Sequence, residues 1–119
     1  MAVAISMTRG DTFTFNLAVT QSGAAYNLTG ASIRMTAKWN YTDADNAAVF
    51  SRTIGSGITV TNAAGGLATV SIAPSNTSSL PATTTNLYYD IQVTDSGANI
   101  YTVAYGVLTV NPDVSITTP

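Results

Sequence analysis

The chain has 119 residues and a net charge of −2, only 8% of its residues are charged, and it contains no cysteine and no histidine. That length fits one domain, the lack of cysteine excludes disulfide and thiolate chemistry, and four cations cannot form the basic surface that a nucleic-acid partner requires. No segment approaches the ~18 apolar residues of a membrane span, and so weakly charged a surface favours assembly with other subunits.

The first predicted elements are a short N-terminal segment and a clear strand. Residues 2–5 alternate too briefly to predict more than an edge strand or an arm, and Arg9-Gly10-Asp11 then turns the chain. In the strand that follows, alternate residues are apolar, which predicts that one face is buried. These inward-facing residues are Phe13, Phe15, Leu17 and Val19.

A second strand places apolar and polar side chains on opposite faces. The predicted inner face carries Ala31, Ile33, Met35, Ala37 and Trp39, and the outer face carries Ser32, Arg34, Thr36 and Lys38. Arg34 and Lys38, two of the four cations, therefore share an exposed face. They either meet an acidic neighbouring protein or remain solvated.

The polar stretch after this strand contains the one metal-like spacing in the sequence. Asp43-Ala44-Asp45-Asn46 places oxygen ligands two residues apart, as calcium loops do. It lacks the later glycine and bidentate glutamate, so a plain polar loop is favoured over a weak calcium or magnesium site. A weak strand follows over residues 49–54.

The middle of the chain predicts a hairpin followed by a crossing segment. Apolar residues alternate on both sides of a glycine-containing turn at residues 62–66, which is typical of a hairpin. Its inner face carries Ile58, Val60, Ala68, Val70 and Ile72. Residues 74–81 begin and end with proline, and within them Ser75 to Leu80 predicts a single helical turn that crosses between sheets.

The strongest β signal runs from Leu87 to Val110, as two strands around the turn Asp95-Ser96-Gly97-Ala98. The apolar set of the first strand is Leu87, Tyr89, Ile91 and Val93. Beyond the turn Tyr101, Val103 and Tyr105 keep this period, and the apolar positions then shift to Leu108 and Val110. A β-bulge at Gly106 explains that shift, because one extra residue re-aims every side chain after it.

Seven or eight short strands with no helical period predict an all-β fold, arranged as a two-sheet antiparallel sandwich. The predicted division is an arm or edge strand over residues 1–7, one sandwich domain over residues 8–113 and a tail over residues 114–119.

Residue types that carry chemistry are scarce in this chain. It lacks His, Cys and Glu, so a nucleophile with its base is not available. Asp90 and Asp95 are expected on a solvated strand face and at a hairpin tip. We therefore expect no catalytic residue, no cofactor and no metal. Trp39, Tyr41 and Tyr88 would form a sugar-stacking platform only on one exposed face, and core packing is favoured because Trp39 lies in the inward register.

Several segments, taken in order, resemble a known module. They are Arg9-Gly10-Asp11-Thr12-Phe13, Leu28-Thr29-Gly30-Ala31-Ser32-Ile33-Arg34, Gly57-Ile58-Thr59-Val60-Thr61, Leu80-Pro81, Tyr89-Asp90-Ile91-Gln92-Val93-Thr94-Asp95 and Leu108-Thr109-Val110-Asn111-Pro112-Asp113-Val114. Together they resemble the immunoglobulin-like module of tailed-bacteriophage virion proteins, similar to the N-terminal domain of baseplate upper proteins. The resemblance extends from about Met7 to Val114.

This resemblance implies an immunoglobulin-like β-sandwich that is not an enzyme and that docks on other virion structural proteins, in the tail, baseplate or neck. We expect a multicopy or homo-oligomeric virion component. Because the sequence before Arg9 is too short for the apolar region of a signal peptide, we also expect it to be made in the host cytoplasm. Capsid decoration and carbohydrate-binding adhesion are the alternatives. Baseplate proteins continue into further domains, whereas this sequence stops after the sandwich. The candidate subunit-contact residues are Ala2, Val3, Ala4, Ile5, Arg34, Lys38, Val114 and Ile116.

Overall fold

The computed structural model describes residues 3–81 and 83–113, and most regular structure in them is β-strand. The strands are β1 (Ile5–Thr8), β2 (Phe13–Ala18), β3 (Thr20–Gln21), β4 (Ala24–Ala25), β5 (Ser32–Lys38), β6 (Phe50–Ile54), β7 (Gly57–Asn62), β8 (Leu67–Ile72), β9 (Thr85–Thr94) and β10 (Ile100–Asn111). A 3-10 turn, Asp45–Ala47, follows β5, and a helical turn, α1 (Pro74–Thr77), links β8 to β9. Within these residues no helix has the length and apolar sequence to cross a bilayer. The all-β prediction is confirmed.

Eight of the described strands hydrogen-bond into one sheet in the order β1-β10-β9-β5-β6-β7-β8-β2, and β3 and β4 form a separate ribbon. Neighbours in the large sheet are antiparallel except β1 with β10 and β6 with β7, which are parallel. The sheet curls until its two edge strands, β1 and β2, line one cleft. The apolar faces of the strands therefore lie inside the curl, where they form the core.

The alternation predicts most of the core correctly. The inward-facing residues of β5, β8 and β9 are buried, namely Ile33, Met35, Ala37, Ala68, Val70, Ile72, Leu87, Tyr89, Ile91 and Val93. Trp39 is an exception, since it is 45% exposed. Its predicted core position is wrong because β5 ends at Lys38, and the period of two holds only while the strand continues.

The predicted β-bulge is present in β10, at a different residue. The register between β9 and β10 shifts between Thr102 and Ala104, so Val103 is the extra residue, and Gly106 is not. Beyond it the buried side chains of β10 are Ala104, Leu108 and Val110. The sequence places the phase change too late because Tyr105, which is 51% exposed, resembles an inward residue by type alone.

Gly106 instead permits a close approach of two backbones. The N–H of Val3 donates to the carbonyl oxygen of Tyr105 at 2.7 Å. A Cβ atom on Gly106 would collide with the Val3 carbonyl oxygen. The missing side chain therefore lets the segment before β1 lie directly along β10.

A group of polar contacts fastens the turn between β1 and β2 to the rest of the fold. Arg9 donates to the Asp113 carboxylate at 2.8 Å and to the Leu80 carbonyl oxygen at 2.7 Å. The hydroxyl of Thr77, fully buried in α1, accepts the N–H of Gly10 at 2.9 Å. These bonds join the end of β10, the crossing between β8 and β9, and the β1–β2 turn. α1 is the helical turn that the sequence predicts here.

Candidate functional site

Two surfaces bring together residues with interaction chemistry, and the first is a polar cleft on the outer face of β5 and β9. Strand register places Arg34 opposite Gln92, Thr36 opposite Asp90 and Lys38 opposite Tyr88. The outward side chains of the two strands therefore form a two-column array. Tyr41 and Asp45, from the stretch after β5, line one end of it, and the open cleft has a volume of about 300 Å³.

The cations of the polar cleft bind an aspartate of the same chain. Lys38 Nζ lies 2.8 Å from an Asp45 carboxylate oxygen, and Arg34 Nη2 lies 3.4 Å from the other. Lys38 also donates to the Asp43 carbonyl oxygen at 2.8 Å. The Lys38 hydrogen bond and the charges of Lys38 and Arg34 lower the pKa of Asp45. Both predicted contact residues thus meet an internal acid, and the Arg34 side chain remains 48% exposed.

Asp90 occupies the middle of the polar cleft and is half-buried. Burial raises the pKa of Asp90, while the charges of Lys38 and Arg34 act to lower it. Its neighbour across the strands, Thr36, is buried on the outer face. Asp90 therefore lies on the outer face, as predicted, but it is only partly solvated, in a cleft that it lines together with Tyr41 and Asp45.

An aromatic pair stands beside these charges. The rings of Tyr41 and Tyr88 lie 4.1 Å apart, with an interplanar angle of 31°. Tyr41 is 77% exposed, so the outer face of the pair is open to solvent. Aromatic faces of this kind stack on other flat or apolar ligand surfaces. The polar cleft thus combines hydrogen-bonding groups with an exposed ring.

The loop with calcium-like spacing is engaged in contacts within the chain. The Asp43 carboxylate accepts the Asn40 N–H at 3.1 Å, and Asp45 binds the two cations. In the part of the chain that the structure describes, no group of three or more His, Cys, Asp or Glu side chains is placed to hold a metal ion.

The second surface is an edge cleft between β1 and β2, with a volume of about 470 Å³. Residues 3–6 form one wall, Phe13 and residues 15–18 form the other, and the floor includes Tyr89, Ile91 and Ala104. Among the described residues β1 pairs only with β10 and β2 only with β8. Each strand therefore turns one row of backbone N–H and C=O groups toward the cleft.

The backbone groups that face the edge cleft follow from the bonds on the opposite side. Val3 and Arg9 donate to β10, at Tyr105 and Asn111, and backbone direction alternates along a strand. The groups of Ala4 and Ser6 therefore point into the cleft. On β2, Val19 donates to Gly66 across from β8, so the same alternation directs Thr14, Asn16 and Ala18 toward the cleft.

The predicted contact residues fall on different parts of the molecule. Val3 and Ala4 are exposed and Ile5 is half-buried, all three along the edge cleft. Arg34 and Lys38 lie in the polar cleft on a separate face. Ala2, Val114 and Ile116 lie outside the described residues.

Comparison with protein-family models and with curated proteins finds no match for this chain. The sequence reasoning found the strands of both surfaces but not the edge cleft, because hydrophobic alternation reports which face is buried and carries no information on which strands lie at an edge. The signal that could have indicated it is Gly106, which the sequence reasoning interpreted as a bulge and whose missing side chain permits the close approach of the Val3 backbone.

Proposed function

We propose that this chain is a non-enzymatic structural component of a tailed-phage virion, which docks on neighbouring virion subunits in the tail, baseplate or neck. The observation that carries the proposal is the edge cleft, where two strands that each have one partner among the described residues face each other across an apolar floor. Natural β proteins normally cover or break such edges, because an exposed edge pairs with other chains. An edge left open is suited to bind an extended segment of a neighbour.

The resemblance to the immunoglobulin-like module of phage virion proteins supports the same proposal. In the sandwich that this resemblance implies, β1, β10, β9, β5 and β6 would form one layer, and β7, β8 and β2 would form the facing layer. The two layers are joined through β6 and β7, which share only two register pairs, Thr53 with Gly57 and Ile54 with Ile58. So short a link is consistent with a sandwich of two layers whose hydrogen bonding continues at one corner.

The test is incorporation into particles. The encoding phage would be grown with the intact gene and with a gene that ends at Asp113, and purified particles would be analysed by mass spectrometry. We expect the intact chain in multiple copies per particle, and a strong reduction of the truncated chain despite normal soluble expression. Absence of the intact chain from particles would contradict the proposal. Particles that carry it on the shell rather than the tail would favour capsid decoration.

Carbohydrate-binding adhesion is the second candidate, and the polar cleft favours it. An exposed Tyr41 ring beside Asp90, Gln92 and Arg34 offers the stacking surface and hydrogen-bonding groups that sugar rings use. A glycan array with the intact chain and with Tyr41→Ala separates this candidate from docking. Binding to one sugar family that Tyr41→Ala abolishes would establish adhesion, and no binding by either chain would exclude it for the sugars on the array.

A further inference from the structure

We infer that the edge cleft receives residues 114–119 from a second copy of this chain, inserted as an additional strand between β1 and β2. The inference deepens the proposed docking function, on which it rests, by naming the acceptor surface and its occupant. It is argued from the two strand edges, the floor of the cleft, and the sequence and reach of the C-terminal segment.

The cleft presents backbone partners on both walls. The groups of Ala4 and Ser6 on β1 and of Thr14 and Asn16 on β2 point into it, as the alternation of backbone bonds requires. A strand placed between them would pair with both edges, which leaves no open edge on either side. An inserted strand therefore gains hydrogen bonds along two rows rather than one.

The apolar floor of the cleft determines which side chains an inserted strand needs. It is apolar at Ile91 and Ala104 and aromatic at Tyr89, and half-buried Phe13 and Phe15 border it. An occupant needs an apolar residue at every second position and polar residues between them. The C-terminal segment reads Val114-Ser115-Ile116-Thr117-Thr118-Pro119. Val114 and Ile116 match the floor, and Ser115 and Thr117 match the solvent side.

The segment also has the required length and lacks charge. Six residues follow Asp113, and β2, the longer wall, also has six residues. None of the six is charged, so none would carry an ion into an apolar cleft. Pro119 has no backbone N–H to donate, so the pairing is expected to end before it.

The reach of the chain favours a second copy over the same molecule. β1 lies between β10 and the cleft, so a segment leaving β10 must cross two strand spacings, ~10 Å, to enter its own cleft. Asp113 is held by Arg9 beside the β1–β2 turn, around which the segment would also have to pass. At ~3.3 Å per residue the crossing uses about three of the six residues. A segment from a second copy does not have to make this crossing.

Single cysteines provide the test, because the natural chain contains none. Asn16→Cys, exposed on β2, would be mixed with Thr117→Cys carried on a chain with a larger tag, and the mixture oxidised mildly. We expect a disulfide-linked heterodimer. The matched control replaces Asn16→Cys by Thr59→Cys, which lies exposed on β7 outside the cleft, and should give at least about tenfold less heterodimer.

A pair of lysine substitutions tests the orientation of the segment. Ile116→Lys places a charge against the floor, and Thr117→Lys places the same charge on the solvent side. We expect Ile116→Lys to weaken self-association at least about tenfold in sedimentation velocity, as the loss of one buried aliphatic side chain implies. Thr117→Lys should stay within about twofold of the natural chain. Equal effects of the two substitutions would overturn the inference.

Other occupants appear as distinct results. A disulfide within one molecule of the double variant Asn16→Cys, Thr117→Cys, without heterodimers in the mixture, would assign the cleft to the chain's own segment. Absence of both disulfides would show that residues 114–119 do not occupy the cleft. Either result overturns the inference, and neither affects the proposed function if the intact chain is present in particles. Cross-linked copies that are absent from particles would overturn only the proposed function.

Discussion

The hairpin of β9 and β10 and the edge strands β1 and β2 differ in how their backbone hydrogen-bonding groups are paired. Both strands of the hairpin have a neighbour on each side, whereas each edge strand has one neighbour in the sheet. β9 has a strand on each side, β10 and β5, and its inward side chains are almost completely buried. β2 has one strand partner among the described residues, and its Phe13 and Phe15 are only half-buried. The backbone groups of the hairpin are therefore paired within one chain. Among the described residues, β1 and β2 each keep one row of backbone N–H and C=O groups without a strand partner. In this fold the strands that are paired on both sides and the strands that have one partner are separate parts of one sheet.

The largest difference between the regions should appear when a side chain is truncated in each. Ile91→Ala removes a residue that is 1% exposed and should lower the free energy of unfolding by about 3 to 4 kcal/mol. Phe15→Ala on β2 removes a larger side chain that is only half-buried, and should lower it by about 1.5 kcal/mol. Urea denaturation of both variants measures the two values. A larger loss for Phe15→Ala would contradict the division into a complete and an open region.

The second prediction concerns the contact that joins β1 to the hairpin. Gly106→Ala places a Cβ atom against the Val3 backbone, so one strand must shift, at a cost of about 2 kcal/mol. Gly97→Ala is the matched control, because its Cβ atom meets only side-chain atoms at 3.4 Å. We expect the control to change stability by less than about 0.5 kcal/mol. Amide exchange at Val3 should also accelerate in Gly106→Ala, and unchanged exchange would show that Val3 does not lie along β10.

The third prediction compares two arginines. Arg9→Ala leaves the Asp113 carboxylate and the Leu80 carbonyl oxygen without their donor in a partly buried site, and should cost about 2 kcal/mol. Arg34→Ala removes an exposed ion pair with Asp45 and should cost about 0 to 1 kcal/mol. Thermal unfolding at low salt ranks the two variants. Similar losses would mean that the Arg9 contacts do not fasten the β1–β2 turn.

The smallest predicted effects are those of pH, and they have opposite signs at two aspartates of the same hairpin. Hydrogen bonds from Asn99 and Gly97 lower the pKa of Asp95. Its ionised form therefore stabilises the fold above the ordinary aspartate pKa of about 3.9, and this stability is lost as pH falls through the folded pKa. Burial raises the pKa of Asp90, so its ionisation destabilises the fold as pH rises from about 3.9 through the folded pKa.

Amide substitutions test these signs. Asp95→Asn should be less stable than the natural chain at pH 7, and Asp90→Asn should be more stable. The Asp90→Asn difference should shrink near pH 3, because the raised pKa of Asp90 leaves its carboxyl protonated there. The Asp95→Asn difference should shrink only as pH falls below about 3.9 through the lowered pKa of Asp95. Denaturation midpoints of the three chains at pH 3 and pH 7 measure this, and a destabilising Asp90→Asn at pH 7 would show that its ion interactions outweigh its burial.

The sequence predicts which face of a strand is buried better than it predicts which strands lie side by side. Leu87, Tyr89 and Ile91 could be assigned to the core because one face of each strand must exclude water. That rule failed at Trp39, which follows the last residue of β5, and at the bulge, where an exposed Tyr105 shares the residue type of an inward one. The all-β class followed from period and turns alone.

The candidate surfaces required contacts between distant parts of the chain. Asp45 meets Arg34 and Lys38 only because residues 39–47 fold back over β5, and no local pattern encodes that return. The edge cleft depends on which strands lie at the ends of the sheet, and β1 reaches its edge position through a parallel pairing with β10, more than 100 residues away in register. The sequence of a single strand does not indicate which distant strand it pairs with.

The most direct measurement of the central claim is amide hydrogen exchange along β2 by NMR, in the intact chain at assembling concentration and in a chain that ends at Asp113. In the truncated chain we predict fast exchange at Thr14 and Asn16, which face the edge cleft, and slow exchange at Phe15 and Leu17, which face β8. In the intact chain all four should exchange slowly. Equal protection of the four amides in the truncated chain, or fast exchange at Thr14 and Asn16 in both chains, would contradict an open edge that a neighbouring copy covers.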